Sequence, residues 1–532
     1  MFHFAVSIRS VLTVLVCFRL GCSADWLTYA HDAQRTGYNP SELELSPANV
    51  SSLQLLWQTQ LENTPVALSA LTSPLVAENV MTSTGPKTLV FVSGTSNTVF
   101  AIDAADGKVV WNHTFTTFAV PKEEAFYLCP NTPNATPVID KERQIIYTIA
   151  VDGRVYGLDL AAGTVKFGPF AFIPAFAKAW SLNLHDHVLY TTTSQACGGD
   201  RSGLYAMRVS DPMHVEWDEL LVRKGFGAGM WLRGGTVIGR DGTIYVSTGD
   251  GLFDPNAGDY SNTYLAASPD LAHVKDYFAP SNWRDLNKRD LDLPSGGLLE
   301  FEYKGREVLA GGGKESVIYL LDANSLGGST HGEALYTSPV LANEDRALEE
   351  KGIWGSPAVW IENNRQTWLY FPVWGKLAKT APPFPITNGD TPHGSILAFK
   401  VGNSSSGKPT LEPGWISTDM DLPDAPAVSN GVLYALATGE NPRQDHVLGV
   451  IQYKSTEEWK HNLLTTAERS AGTHPAVLKA LDARTGKLLY QSGDAMKTWV
   501  HFTGLAVAAG RVFAVDHESR VYCFGLRGSK GS

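Results

Sequence analysis

The 532 residues carry 54 acidic and 43 basic side chains, a formal charge of −11 at neutral pH. An acidic surface of this kind argues against nucleic acid as a partner. Length alone would suggest two or three domains, but no linker or low-complexity run divides the chain, and an internal repeat overrides that prior.

In chain order the first feature is a leader. Arg9 precedes the apolar run Val11 to Phe18, and Cys22-Ser23-Ala24 supplies small residues at the cleavage positions. A signal peptide over 1–24 is expected, and its removal with Arg9 and Arg19 takes the charge from −11 to −13. The apolar run is too short to span a bilayer, and no second one approaches that length. The expected location is therefore secreted or periplasmic, with no membrane span. Three cysteines remain, Cys129, Cys197 and Cys523, enough for one disulfide with one thiol left over. No Cys-x-x-Cys-His occurs, so no c-type haem is expected. Sequons at Asn49, Asn112, Asn134 and Asn403 fit an exported glycoprotein.

A short phrase then recurs: apolar residues, Asp-Ala or Asp-Leu, and a small turn, followed in the fullest copies by Gly-Lys and an apolar or aromatic run. Clear copies are Val99 to Trp111, Val155 to Gly163, Ile318 to Ala323 and Leu478 to Leu488. Degenerate copies are Gly203 to Met207, Asn262 to Ala266, Ser395 to Phe399 and Arg520 to Phe524. Each reads as strand, tight turn, strand. Before each copy lies a small-residue segment suited to a crowded inner strand, beginning at Ser73, Thr136, Trp180, Met230, Gly296, Ser356, Ala425 and Thr503. Such units cannot bury their own faces and must stack.

The expected fold is therefore all-β: residues 25–532 form a single closed eight-bladed β-propeller of four-stranded blades. No outer strand follows the last copy, so the spare strand Leu53 to Thr59 is expected to complete the final blade and close the ring. The polar stretches 253–293, 376–393 and 440–475 read as loops on one face. Asp103, Asp159, Asp322 and Asp482 recur in the turns and read as structural, since a catalytic residue would be present once.

The repeat resembles that of quinoprotein alcohol dehydrogenases, over essentially all of 25–532. The opening Asp25-Trp26 to Asn39-Pro40 is similar to the N-terminal segment of that superfamily. What the resemblance implies is an oxidoreductase acting on an alcohol or related small molecule, with PQQ and Ca²⁺ or a lanthanide on the axis. Gly229-Met230-Trp231 and Ile244 to Asp250 resemble the segment bearing the cofactor's stacking Trp and a metal-binding Asn. Trp231 would then be the floor, and Asp250 would stand in for Asn as an oxygen ligand. Arg289 to Ser295 resembles the family's Asp-x-Asp, making Asp290 a partner of the metal with Asp250, and Asp292 the base. Gly313 to Tyr319 resembles the segment that contacts the quinone oxygens, through Lys314. Two departures stand out. The adjacent Cys-Cys pair that covers the cofactor is missing, and the metal-binding Glu falls, by spacing to Arg201 and Gly203, near Cys197.

Plain roles stay open for the same residues: packing between blades for Trp231, a loop cap for Asp290 and Asp292, an ion pair for Lys314. His185 and His187 would share one face if they lie on a strand. His393, His446, His501 and His517 are scattered without zinc spacing. Trp283, Trp354 and Trp374 lie in or beside the long loops, where they would suit a flat ligand, and Glu440 to Arg443 follows an inner segment and is a candidate to face the axis. Two alternatives to the dehydrogenase therefore remain. One is a propeller binding a small molecule or protein partner without redox chemistry, and the other is a different biosynthetic enzyme reusing the pocket.

Overall fold

The computed structural model describes residues 23–528 apart from 127, 200–201, 212, 214, 221–227, 232, 347–350, 364 and 449–454. The expected leader falls almost wholly outside the described residues, as do the landmarks Arg201 and Leu232. The chain forms eight antiparallel blades arranged as a propeller. In blade 1 the strands, from axis to rim, are Leu75–Thr82, Gly85–Gly94, Thr98–Asp103 and Val109–Thr114. All eight repeat copies fall on the third strand of a blade, from Thr98–Asp103 in blade 1 to Arg520–Gly525 in blade 8. That strand is covered on both faces by neighbouring blades, so it reads as a continuous apolar run, and Thr98–Asp103 is buried throughout. The rim strand Val109–Thr114 is buried mainly at Trp111.

Seven of the small-residue segments lie at the start of, or directly before, an inner strand. Blade 4 departs: its inner strand is Val237–Ile238, and Met230-Trp231 lies in the loop above it. Small residues are required by crowding in that loop as much as in the strand, so the pattern does not separate the two.

The ring closes as expected. Gln54–Gln60 pairs antiparallel with Arg520–Gly525, with Trp57 opposite Cys523, and forms the rim strand of blade 8. Blade-to-blade contact uses the repeat's own turn. Asp482 Oδ1 accepts from Arg484 N and Thr485 N, which fixes the turn and places Gly486 in the left-handed region at φ +69°. A Cβ there would lie 2.3 Å from the Trp415 ring of blade 6, whose Nε1 donates to Ala483 O at 3.0 Å. Trp57 makes the corresponding bond to Ala104 O. The recurrent Asp and Gly are therefore structural: in blades 1, 2 and 7 they seat the preceding blade's tryptophan, while in blade 5, whose turn has no Gly, Ala323 O accepts from Tyr245 OH instead.

The segment Trp26 to Asn39 runs around the inside of the axis and bonds to the inner edge of every blade in turn. Trp26 exchanges backbone bonds with Val76 of blade 1, and Leu27 O accepts from Ile139 of blade 2. Thr28 Oγ1 donates to Leu182 O of blade 3. Ala33, Gln34, Thr36 and Gly37 carbonyls then accept from Ile238, Glu300, Val359 and Val428 of blades 4 to 7. Asn39 Nδ2 ends the circuit at Val507 O of blade 8, 2.9 Å away. Arg35, 1 % exposed, holds this loop together by donating to Thr28 Oγ1, Tyr29 O, Leu182 O and Thr236 O. Burial pushes its guanidinium down to about 9, and the four acceptors satisfy a charge that would otherwise be expensive to enclose.

Candidate functional site

Inner strands begin and second strands end on the same face of a propeller, so every residue just before the first or just after the second converges there. The described residues of the long loops 115–137, 279–297, 375–393 and 438–476 belong to this face. Two of them meet: Lys460 Nζ lies 5.1 Å from the Phe126 ring centre, and Phe126 packs edge-on to Trp459. Cys129 and Cys197 form a disulfide that ties the loop 115–137 to blade 3, and Cys523 is a free buried thiol.

Lys314 follows the second strand of blade 5, and Asp292 precedes the inner strand of the same blade. Lys314 Nζ donates to Asp292 Oδ2 at 2.9 Å and to Asp290 Oδ1 at 2.8 Å. Asp292 Oδ1 accepts from Asp250 N at 2.8 Å. Lys314 and Asp292 side chains are 6 % and 5 % exposed, whereas that of Asp290 is half-exposed. Burial works against the Lys314 charge, but the two carboxylates outweigh it and raise its pKa. Burial likewise opposes ionisation of Asp292, but Lys314 and the surrounding donors hold it below the ordinary carboxylate value. Asp290 closes the short helix Trp283–Arg289 in the left-handed conformation, φ +53°, which turns the chain so that both carboxylates reach one ammonium.

Aromatic rings wall this cluster. Lys314 Nζ stands 5.1 Å from the Trp231 ring centre and 5.5 Å from that of Trp354. Trp354 contacts Trp231, Trp374 and Phe502 at centroid distances of 6.0, 5.9 and 6.3 Å. Trp354, Trp374 and Phe502 are buried, and Trp231 keeps a part-exposed face. Gly249 lets Trp231 and Asp292 approach, since a Cβ there would sit 3.1 Å from both Trp231 Nε1 and Asp292 Oδ1. Trp231, Asp250, Asp290, Asp292 and Lys314, named separately from the sequence, thus lie in one cluster.

Beyond Phe502, toward blades 8, 1, 2 and 3, is a cavity of about 80 Å³. Its lining includes Tyr29, Lys178, Trp180, Arg233, His501 and Phe502. Arg233 lies 4.2 Å from the Phe502 ring centre, and its Nη2 lies 3.2 Å from His501 Nε2. Glu440 Oε2 is 2.8 Å from His501 Nδ1, and Glu440 Oε1 accepts from Arg469. Burial pushes His501 down to about 4. The ring is therefore neutral at ordinary pH, with Nε2 accepting from Arg233 and Nδ1–H donating to Glu440. Sequence pattern had marked Glu440 as a candidate for the axis and His501 as scattered. Lys178 and Arg233 carried no motif at all.

Other expectations fall elsewhere. His185 ends the strand Asn183–His185, and Asp186 and His187 are both left-handed, so the two imidazoles flank a turn rather than share a strand face. His187 and His185 approach Asp140 and Asp186 respectively. Trp283 packs on Phe253 and His517 stacks on Trp499. His393 pairs with Asp419 and His446 with Glu468, both exposed. Among the described residues no group of three His, Cys, Asp or Glu side chains is disposed to hold a metal, and no helix is long and apolar enough to cross a membrane.

Residues 26–198 match the model of the PQQ family described as the glucose/ethanol/alcohol dehydrogenase β-propeller domain. A quinohemoprotein alcohol dehydrogenase from Comamonas testosteroni is 22 % identical over 93 % of this chain and 72 % of its own length. The solved structure of that organism's quinohemoprotein alcohol dehydrogenase superposes with a TM-score of 0.60 at 16 % identity, covering 95 % of this chain and 81 % of the other. A europium-containing methanol dehydrogenase gives 0.58 at 13 % identity over 94 % of this chain and 98 % of its own. The eight blades, the repeat and these matches fit the quinoprotein alcohol dehydrogenase-like superfamily of PQQ-repeat β-propellers, to which the chain is similar.

Proposed function

We propose that this chain is an exported oxidoreductase that acts on an alcohol or related small molecule with a fused-ring quinone of the PQQ type. The observation that carries the reading is the convergence of Lys314, Asp292, Asp290 and the backbone of Asp250 beside Trp231. A planar ring system suits the part-exposed indole of Trp231, and Lys314 supplies a cation for electronegative oxygens at its edge. When bound, the quinone supplies the two-electron acceptor. Asp292, kept ionised by Lys314 and the Asp250 amide, has lone pairs left over and is the group to take the hydroxyl proton of the substrate. Lys314 holds Asp292 in place, and the buried rings of Trp354, Trp374 and Phe502 exclude water.

The residues present do not fit Ca²⁺ or a lanthanide in the same way. Cys197, at the position of the expected third ligand, is committed to the disulfide, and the Lys314 ammonium occupies the shared edge of Asp290 and Asp292. Asp250 and Asp290 as a metal pair are therefore incomplete, and no step is assigned to a metal. The disulfide supports the exported location, because such bonds persist in oxidising compartments. Asn112 and Asn403 are exposed and open to glycosylation, whereas Asn134 lines the axial cavity.

The test is titration of the protein with PQQ, with and without Ca²⁺ or lanthanum, read by absorbance and by alcohol-dependent dye reduction. Saturable binding is expected, with turnover lost in Asp292→Asn while the fold is kept. Absence of binding at micromolar PQQ overturns the reading. It leaves a ligand-binding propeller without redox chemistry, which the closed ion pairs of Lys314 favour.

A further inference from the structure

Two cations of the axial cavity make no ion pair among the described residues. Lys178 Nζ and Arg233 Cζ lie 5.2 and 5.8 Å from the centre of the same Trp180 ring. Among the described residues neither has a carboxylate within ion-pair distance. Arg233 Nε is closed off from solvent without a hydrogen-bond partner. Glu440 and Asp424 act on Arg233 only at longer range: Glu440 binds Arg469 and His501, and Asp424 accepts from the backbone of Ala425 and Gly504. Burial and the charges of Arg233 and Arg469 push Lys178 down to about 7. Two like charges on one indole, with a buried donor unused, cost stability unless an anion enters.

We propose that this cavity binds the carboxylate of an organic acid, with Lys178 and Arg233 as its anion-binding residues. The guanidinium offers its terminal N–H groups as a planar fork that matches two carboxylate oxygens. Neutral His501 fixes the fork from one side, and the Phe502 ring fixes it from below. Leu68, Leu71 and the aromatic rings suit an apolar body behind the carboxylate. The same Phe502 separates this cavity from Trp354 and the Lys314–Asp292 pair. A molecule with its acid on Arg233 would reach Asp292 only by passing the edge of that ring. The proposal rests on the reading above only in giving it a substrate class, an alcohol that also carries a carboxylate; the binding itself needs no turnover.

The test is calorimetric titration of the whole protein with benzoate and with its neutral counterpart benzamide, without quinone and then after loading with PQQ. Expected are saturable benzoate binding, at least tenfold weaker binding of benzamide, and at least tenfold loss for benzoate in Arg233→Gln and in Lys178→Met. Unfolding temperatures show whether each variant is folded, and Arg233→Lys, which keeps the charge but not the fork, should retain part of the affinity. Equal binding of the acid and the amide, or unchanged benzoate binding in folded Arg233→Gln and Lys178→Met, overturns the proposal. So does loss of benzoate binding on PQQ loading, since the pocket would then hold the cofactor's own carboxylate. If PQQ fails to bind while benzoate binds as described, the pocket stands and only the quinone reading falls.

Discussion

Trp111 Nε1 donates a 2.9 Å hydrogen bond to Leu160 O across the boundary between blades 1 and 2, and its ring lies flush against Gly163. A Cβ on Gly163 would stand 2.5 Å from the indole, at a backbone φ of +68°. The turn's glycine and the neighbour's tryptophan are one unit, which recurs as Trp57 with Gly107 and Trp415 with Gly486.

Gly163→Ala is accordingly expected to destabilise by about 2 kcal/mol or more, through left-handed strain and the clash. Trp111→Phe should cost about 1–3 kcal/mol, since it leaves Leu160 O without its donor. Because the two residues touch, the double variant should lose less than the sum. Denaturant midpoints of the three variants check this, and strict additivity would count against a shared contact.

Glu300 on the inner edge of blade 5 is fully buried, and neither carboxylate oxygen has a hydrogen-bond partner among the described residues. Burial, aided by Glu307 and opposed by Arg240, pushes it up to about 7. Its folded-state value lies above the unfolded one, so the folded chain holds a proton that the unfolded chain releases. Stability should therefore fall as pH rises from the ordinary carboxylate range through about 7, and then level off. Glu300→Gln should remove that slope. It should raise stability at pH 8 by on the order of 3 kcal/mol at most and change little below pH 4.5. Unfolding temperature against pH for both proteins reads the difference directly.

Lys314→Met leaves Asp290 and Asp292 together without a cation, and a loss of about 3–5 kcal/mol is expected. Lys314→Arg keeps the charge and should lose less. Thermal unfolding of the pair separates the charge from the packing, and equal losses would show that packing dominates.

The bond between Cys129 and Cys197 joins residues 68 positions apart. Replacing both by serine should cost about 2–4 kcal/mol by freeing the unfolded chain. The roof loop 115–137 should become the first site of proteolytic cleavage, and mass analysis of limited digests would show whether the cut falls there.

What was legible in the sequence was whatever is repeated or local. The Asp and Gly of each turn identify the third strand because turn chemistry is written within a few residues, and ring closure follows from one strand missing and one spare. Resemblance brought Trp231, Asp250, Asp290, Asp292 and Lys314 to notice, and geometry assembles them. Lys178 and Arg233 stayed hidden because an unpaired cation is defined by what surrounds it. Arg233 meets His501 across 268 positions of sequence. The two histidines at 185 and 187 misled for a related reason: a period of two implies a shared face only if the strand continues, and here it turns at Asp186.

Ring closure also sets a schedule. Gln54–Gln60 emerges early in synthesis and finds its partner, Arg520–Gly525, only after more than four hundred further residues have been made. Throughout that interval the early strand has an unmade edge, and the loop from Trp26 to Asn39 lacks most of the blades it will bind. The ring is thus a product of the finished chain, and any stop codon before Arg520 would release a molecule whose first strand has nothing to close on.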